Sequence, residues 1–308
     1  MPERADSLNG NSDGAWNSAW DYLDRSQKSG APPSVRTLLR QLKLRPLKQL
    51  GQNFLVDEDV LHRIIQAANL TPTDVILEIG PGLGVLTKEL AQRVAQVVAV
   101  EIDKGIAEAL SKMFADTSNV TVINKSILDF DPSEYFKDLP YKVVANLPYY
   151  ITSPTLRHLF ETSNRPKLVV VMVQREVAER IVSPPGEMSL LSVSVQVFGN
   201  PRIVMLVPPE AFYPPPKVES AVVRIDVYDH PAVNVDLDKF FTVVQSGFSR
   251  PRKMLHNSLS QSIWLPPGGA IEVLRAAGID EKRRAQTLSL KEWERLTQEL
   301  ERRGFVQA

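Results

Sequence analysis

The 308-residue chain contains no cysteine. Disulfides, thiolate zinc sites and thiol nucleophiles are therefore excluded, and cytosine-C5 methylation by the covalent cysteine route goes with them. Histidine is scarce. His62, His158, His230 and His256 stand singly, so they form no cluster with metal-ligand spacing and read as structural or exposed. Long apolar runs are missing: the longest, residues 168–173, has six residues, against about 20 for a spanning helix. The start, Met1-Pro2-Glu3-Arg4-Ala5-Asp6, lacks the apolar stretch of a secretory signal and carries acids that an organellar transit peptide avoids. A cytoplasmic protein without a membrane partner is expected. Net charge is also absent, with 36 basic and 36 acidic side chains, so bulk charge alone predicts no nucleic-acid partner.

What remains is an ordinary globular composition, 43% apolar and 23% charged. The length suits one large domain plus a smaller one, with ample surface to bury. The charge is unevenly placed. Residues 31–56 hold Arg36, Arg40, Lys43, Arg45 and Lys48 and no acid. Residues 239–271 hold Lys239, Arg250, Arg252 and Lys253 and no acid. Two acid-free basic stretches in a neutral chain are a local electrostatic footprint, or a scatter of solvated side chains.

Residues 1–34 are rich in Ser, Asn, Asp and Gly and read as a flexible tail. Within it Trp16, Ala19, Trp20 and Leu23 keep the spacing of a short docking helix. From Asp57, a helix cap, a helix is predicted to about Asn69. Short apolar runs at 75–79, 97–100, 120–123, 143–145 and 168–173 alternate with helices at 84–93, 104–114 and 154–161. That alternation means βαβ units and a parallel sheet. Helices at 176–181 and 189–198 and strands at 203–207 and 221–227 complete seven strands, the last not parallel. After about residue 230 only helical patterns remain, at 236–248, 252–262, 269–277 and 289–303. The expected organisation is thus a tail at 1–34, an α/β domain at 35–230 and a small helical domain at 231–308.

Two loops carry chemistry. Glu78-Ile79-Gly80-Pro81-Gly82-Leu83-Gly84 follows the first strand, where glycines let backbone approach a ligand. Glu101 ends the second strand, 21 residues after Gly80, where a carboxylate can accept both ribose hydroxyls of a nucleoside. The dinucleotide fingerprint would need glycine at position 85, which is Val85. The spacing instead suits a ligand without a pyrophosphate, such as S-adenosylmethionine.

The second loop, Asn146-Leu147-Pro148-Tyr149, follows the fourth strand and opens into the same crevice. An exocyclic adenine amine is a poor nucleophile because its lone pair is delocalised into the ring. The Asn146 side-chain oxygen and the Leu147 carbonyl can each accept one of its N–H groups. Two acceptors favour a pyramidal nitrogen and stabilise the charge that develops on it. Pro148 holds Leu147 extended, and Tyr149 offers a flat face for a base. A paired base cannot reach such a crevice and must be flipped out or lie in a loop. Phe212 and Tyr213 are placed either to supply an opposing wall or to pack at a sheet edge.

These motifs resemble those of the ribosomal RNA adenine-N6 dimethyltransferases, in the small-subunit KsgA/RsmA branch. The resemblance runs from about Leu47 to the C-terminal helices. Gly51-Gln52-Asn53-Phe54-Leu55, Pro214-Pro215-Pro216-Lys217-Val218-Glu219-Ser220-Ala221-Val222 and Phe248-Ser249-Arg250-Pro251-Arg252-Lys253 with Asn257-Ser258-Leu259 add to the two loops. It implies a Rossmann-like class I methyltransferase sheet with a small C-terminal helical domain. It also implies dimethylation of two adjacent adenosines near the 3′ end of 16S rRNA, in the immature small ribosomal subunit, by a monomer using S-adenosyl-L-methionine. Asn53 and Leu55 would lie at the methionine end of the cofactor, Gly80 and Gly82 along the glycine loop, Glu101 on the ribose, and Asn146 against both cofactor and amine. Where the family usually has an acid facing the cofactor adenine, this chain has Ser126, a weaker acceptor, with Asp129 three residues on as the alternative. Pro251 stands where the family tends to have a basic or polar residue, and is expected to start the following helix. Arg250, Arg252 and Lys253, with Phe212, are the expected RNA contacts. Two rival readings are the large-subunit branch of the same enzymes and a non-catalytic ribosome-assembly factor on the same fold.

Overall fold

The computed structural model describes residues 35–42, 44, 47 and 51–306. The expected tail, including Trp16, Ala19, Trp20 and Leu23, lies outside the described residues, as do Lys43, Arg45 and Lys48. Helix α1 (Val35–Gln41) leads to the two-residue strand β1 (Phe54–Leu55). Asp57 then caps α2 (Glu58–Ala68), accepting from the Val60 amide at 3.0 Å, and Asn69 ends it in the left-handed region at φ 44°. Val60, Leu61 and Ile64 form its buried face, the helical stripe that their spacing dictates.

The β-branched runs become strands, buried on both sides in the sheet interior as a helix-covered parallel sheet requires, with β4 at the edge only partly covered. They are β2 (Val75–Ile79), β3 (Gln96–Glu101), β4 (Val120–Asn124), β5 (Lys142–Asn146) and β6 (Leu168–Gln174). Between them lie α3 (Val85–Ala91), α4 (Lys104–Met113), α5 (Pro132–Phe136) and α6 (Thr152–Glu161). Helices α7 (Arg175–Val182) and α8 (Leu190–Gln196) precede β7 (Gly199–Val207), β8 (Phe212–Tyr213) and β9 (Ser220–Val227). The seven-stranded sheet has the order β4-β3-β2-β5-β6-β9-β7. β9 pairs antiparallel with both neighbours and alone runs against the rest, as expected of the last strand. The strand order reverses at β2, and a crevice opens beyond the carboxyl ends of β2, β3 and β5.

The C-terminal helices are α9 (Leu237–Phe248), α10 (Leu255–Ser262), α11 (Gly269–Ala276) and α12 (Leu290–Arg302). They close around the fully buried Trp293 and share one apolar core with the sheet. The Phe198 ring stacks between Phe160 at 5.6 Å and Phe241 at 6.0 Å, joining the two layers.

Four local expectations are corrected. β7 begins at Gly199 rather than at residue 203, its register broken by an irregularity between Ile203 and Met205. α5 went unseen because it is one turn long, capped by Asp131 with Pro132 opening it. The β1–β8 ribbon, pairing Leu55 with Phe212 and Phe54 with Tyr213, is too short to show a period. Finally, Pro251 does not start a helix. Arg250 to Lys253 forms a turn closed by the Lys253 amide on the Arg250 carbonyl at 2.9 Å, and α10 begins only at Leu255.

Gly84 joins the glycine loop to α3 at φ +80°, and a Cβ there would lie 2.8 Å from Leu110 and 3.0 Å from Phe114. Both the left-handed backbone and the crowding disfavour a side chain. Gly84→Ala should destabilise the fold by about 2–4 kcal/mol, read by urea denaturation. A loss below about 0.5 kcal/mol, the scale of a neutral surface change, would mean the loop relaxes freely.

Candidate active site

The glycine loop, the end of β3, the β4–α5 loop and the segment after β5 line one cavity of about 260 Å³, close to the roughly 300 Å³ lower bound of small-molecule sites. Gly80 and Gly82 sit in its wall at φ +67° and +57°. A Cβ on Gly80 would reach 3.4 Å from the Asn146 carbonyl oxygen, and one on Gly82 3.1 Å from the Phe54 ring. The left-handed backbone at both positions, and the tight approach at Gly82, favour glycine in this cradle. The Gly80 amide donates to the Val100 carbonyl at 3.0 Å, binding the turn to β3.

Glu101 ends β3 in the same wall and is 5% exposed. Burial pushes its pKa up to about 7, with the Asp103, Gly82 and Ile102 amides opposing the rise. The Asp103 amide donates to Glu101 Oε1 at 2.9 Å. Asp103 caps α4 through the Ile106 amide and accepts from Gln52 Nε2 at 3.1 Å. Gln52 thus ties the 51–55 segment to the acid-bearing turn. It was not singled out, since only its pairing across 51 residues reveals it.

The Asn146 loop is anchored from three directions. Asn146 Nδ2 donates to the Asn53 carbonyl at 3.1 Å. The Leu147 amide donates to the Met172 carbonyl at 3.2 Å, and the Leu147 side chain is buried. With one N–H of Nδ2 committed, Oδ1 is the side chain's acceptor. No group among the described residues donates to that oxygen or to the Leu147 carbonyl. Both residues line the cavity. Tyr149 lines it too, its hydroxyl sharing a 2.7 Å hydrogen bond with the Ser220 hydroxyl. Burial pushes the Tyr149 pKa up, so the phenol stays neutral. Tyr150, half exposed at 55%, stands in the cavity wall as a second aromatic.

Asn53, Leu55 and Ser126 also reach the cavity. Ser126 Oγ accepts from the Leu128 amide at 3.2 Å, while Asp129 is exposed and lies outside the wall. Phe212 is corrected. It is 4% exposed and packs in the core cluster with Val60 and Ile64, because the β1–β8 register turns its side chain inward. It is buried and no wall of the cavity. Arg250, Arg252 and Lys253 are exposed and pair with no carboxylate among the described residues. The histidines lie outside the cavity wall, His158 and His256 bonding carbonyls of Phe130 and Glu281 at 2.7 and 2.8 Å. Among the described residues no group of acids and histidines is arranged to hold a metal, and no helix is long and apolar enough to cross a membrane.

One cavity residue was passed over. Glu78 in β2 is 1% exposed, and neither carboxylate oxygen has a hydrogen bond. Burial pushes its pKa up to about 8, Thr87 opposing and the nearby Glu101 charge adding. In sequence Glu78 opens the glycine motif within a run that reads as a buried strand, and nothing in that run marks its carboxyl as unpartnered.

A family model described as ribosomal RNA adenine dimethylase matches residues 44–302. The chain is 44% identical over 264 residues to ribosomal RNA small subunit methyltransferase A of Dehalococcoides mccartyi, covering 85% of this chain and 91% of that protein. It is 45% identical over 278 residues to the protein of that name from Pelotomaculum thermopropionicum, covering 85% and 94%. Among solved structures, a dimethyladenosine transferase from Plasmodium falciparum superposes with a TM-score of 0.71 at 25% identity, over 82% of this chain and 99% of that one. The 23S rRNA methyltransferase ErmE superposes at 0.64 and 29% identity, over 81% and 100%.

Proposed function

This chain belongs to the ribosomal RNA adenine dimethylase family, and we propose that its crevice holds S-adenosylmethionine beside an adenine flipped out of small-subunit rRNA. The chain is an rRNA methyltransferase that dimethylates adenine N6 in that rRNA. The observation that carries the site assignment is the pair of unshared acceptors, Asn146 Oδ1 and the Leu147 carbonyl, in one cavity with the buried Glu101.

The residues present fit the cofactor. The open cradle at Gly80 and Gly82 admits its methionine portion beside Asn53 and Leu55. Glu101 offers acceptors to a ribose diol, and Ser126 faces the purine end. When bound, S-adenosylmethionine supplies an electrophilic methyl group on sulfonium sulfur. The chain's own residues do the rest. In the first transfer Asn146 Oδ1 and the Leu147 carbonyl accept hydrogen bonds from the two N6–H groups, draw the lone pair out of conjugation and stabilise the positive charge that builds on nitrogen; the proton that the methyl group displaces leaves to solvent, and the second transfer has one N–H left to hold. Tyr149, fixed through Ser220, supports the flipped base by stacking. Methylating a weak neutral nucleophile in this way asks for acceptors rather than a side chain of matched pKa.

The substrate is proposed to be two adjacent adenosines near the 3′ end of 16S rRNA in the immature small subunit, bound by a cytoplasmic monomer. Arg250, Arg252 and Lys253 then hold phosphates, which position RNA without specifying it. The helical segment after residue 230 is the RNA-binding domain, and the methyltransferase domain spans 35–230. The large-subunit reading is disfavoured by identity: 44–45% to the small-subunit relatives against 29% to the 23S enzyme.

The test is methyl transfer by the purified chain to small-subunit particles lacking the modification, with naked large-subunit rRNA in parallel. N6,N6-dimethyladenosine by mass spectrometry in the small-subunit RNA is expected. Label confined to large-subunit rRNA, or none, contradicts the reading.

The ribose role of Glu101 makes cofactor affinity pH-dependent. A carboxyl titrating at about 7 loses acceptor capacity when protonated, so S-adenosylhomocysteine should bind more tightly as pH rises from about 6 to about 8. Glu101→Gln should flatten that profile. Glu101→Ala should cost about 1–3 kcal/mol of binding, the penalty for stranding the ribose hydroxyls. Unchanged calorimetric affinity in Glu101→Ala rules the role out.

A further inference from the structure

The most exposed large apolar side chain among the described residues lies far from the cavity in sequence: Trp264, 83% exposed, between α10 and α11. Its exposure is built into the fold. Ile263 before it is buried, its amide donating to the Leu259 carbonyl at 2.8 Å, and Leu265 after it packs against the core. The next turn is stiff. Pro266 and Pro267 limit the backbone, and the Pro266 carbonyl accepts from the Gly269 amide at 2.8 Å. With both flanking residues anchored inward, the indole is presented outward on a rigid support.

The turn tied to the end of α10 is cationic. The Ser262 hydroxyl donates to the Ser249 hydroxyl at 2.9 Å, and the Ser258 hydroxyl reaches the Arg250 carbonyl at 3.3 Å. The end of α10 is thereby fastened to the turn that carries Arg250, Arg252 and Lys253. None of these three cations pairs with a carboxylate among the described residues, and residues 239–271 contain no acid. Glu281, whose carbonyl meets His256 on α10, is itself paired with Arg275 at 2.7 Å.

A rigid aromatic face beside unpaired arginines and a lysine is the arrangement that stacks an unpaired base while the phosphates on either side are neutralised. We propose that Trp264 is an RNA-stacking residue, holding an unpaired nucleobase of the substrate rRNA outside the active cavity. The proposal rests on the rRNA-methyltransferase reading and adds a second point at which a base is gripped. A protein partner would also cover an exposed indole, but three cations without a carboxylate partner among the described residues favour a phosphate backbone.

The test uses the full chain and small-subunit particles lacking the modification. Trp264→Ala should weaken binding about tenfold or more, as expected for losing one stacked base, with an unchanged salt dependence. Trp264→Phe should retain most of the affinity, because a smaller ring still stacks. Arg252→Ala should instead flatten the salt dependence. A photocrosslinking phenylalanine analogue placed at position 264 should attach to rRNA. Unchanged affinity in Trp264→Ala, or a crosslink to a ribosomal protein alone, overturns the stacking role while wild-type methyl transfer persists. Failure of the wild type to bind or methylate the particles overturns the underlying reading as well.

Discussion

Asn146→Ala is expected to lower kcat for methyl transfer by about 10²–10³-fold, the loss associated with one preorganised polar group facing a developing charge. The reason is local. Asn146 Nδ2 is held by the Asn53 carbonyl at 3.1 Å, which fixes the side chain in the cavity wall. Alanine removes the acceptor and leaves the Leu147 carbonyl alone to polarise the amine. Rigid anchoring elsewhere, through the Leu147 amide on Met172 and the buried Leu147 side chain, keeps the loop in place. The affinity for RNA should therefore change little, and single-turnover kinetics should put the loss in the chemical step. Asn146→Asp keeps an acceptor but sets a carboxylate oxygen against the Asn53 carbonyl, and should fall between wild type and Asn146→Ala. An alanine variant within threefold of wild type would remove Asn146 from the chemistry.

Glu78→Gln is expected to stabilise the protein at alkaline pH, by about 5 kcal/mol above pH 9, when no cofactor is bound. Glu78 is fully buried with two unpartnered oxygens, and its pKa is pushed up to about 8 from an ordinary 4.5. An acid whose folded pKa is raised binds more protons folded than unfolded. Its burial is tolerated while it is protonated in both states, and stability falls as pH rises from about 4.5 through about 8. Glutamine keeps the shape and cannot ionise, so the two proteins should be alike near pH 4 and diverge upward. Denaturation midpoints across pH read this directly. Parallel profiles would mean that Glu78 has partners that keep its pKa ordinary.

The fold was legible where the physics is local. Asp57 and Asn69 bracket α2 because capping depends on a few neighbouring residues. The runs at 75–79 and 168–173 declare buried parallel strands by β-branching and length. The crevice followed from those strands, since the glycine loop and the Asn146 loop both sit at their carboxyl ends. Legibility failed where contacts are distant or very short. The Asn146–Asn53 hydrogen bond spans 93 residues, and no pattern around either residue announces it. Phe212 was a candidate RNA contact because it borders a proline-rich turn. Only the ribbon with Leu55 decides that it points inward. Pro251 predicts a helix start, but the hydrogen bond that closes the Arg250–Lys253 turn sets a turn there instead. Glu78 and Trp264 show the two faces of one limit: sequence marks a residue's type, and only packing decides whether it is hidden or held out.

The central claim is that two backbone-anchored oxygens on the Asn146 loop receive the target amine. A crystal structure with S-adenosylhomocysteine and an unmodified adenosine bound together measures it directly. N6 is expected within about 3 Å of both Asn146 Oδ1 and the Leu147 oxygen, with the cofactor ribose on Glu101. An adenine seated elsewhere, its N6 beyond about 4 Å of both oxygens, would contradict it.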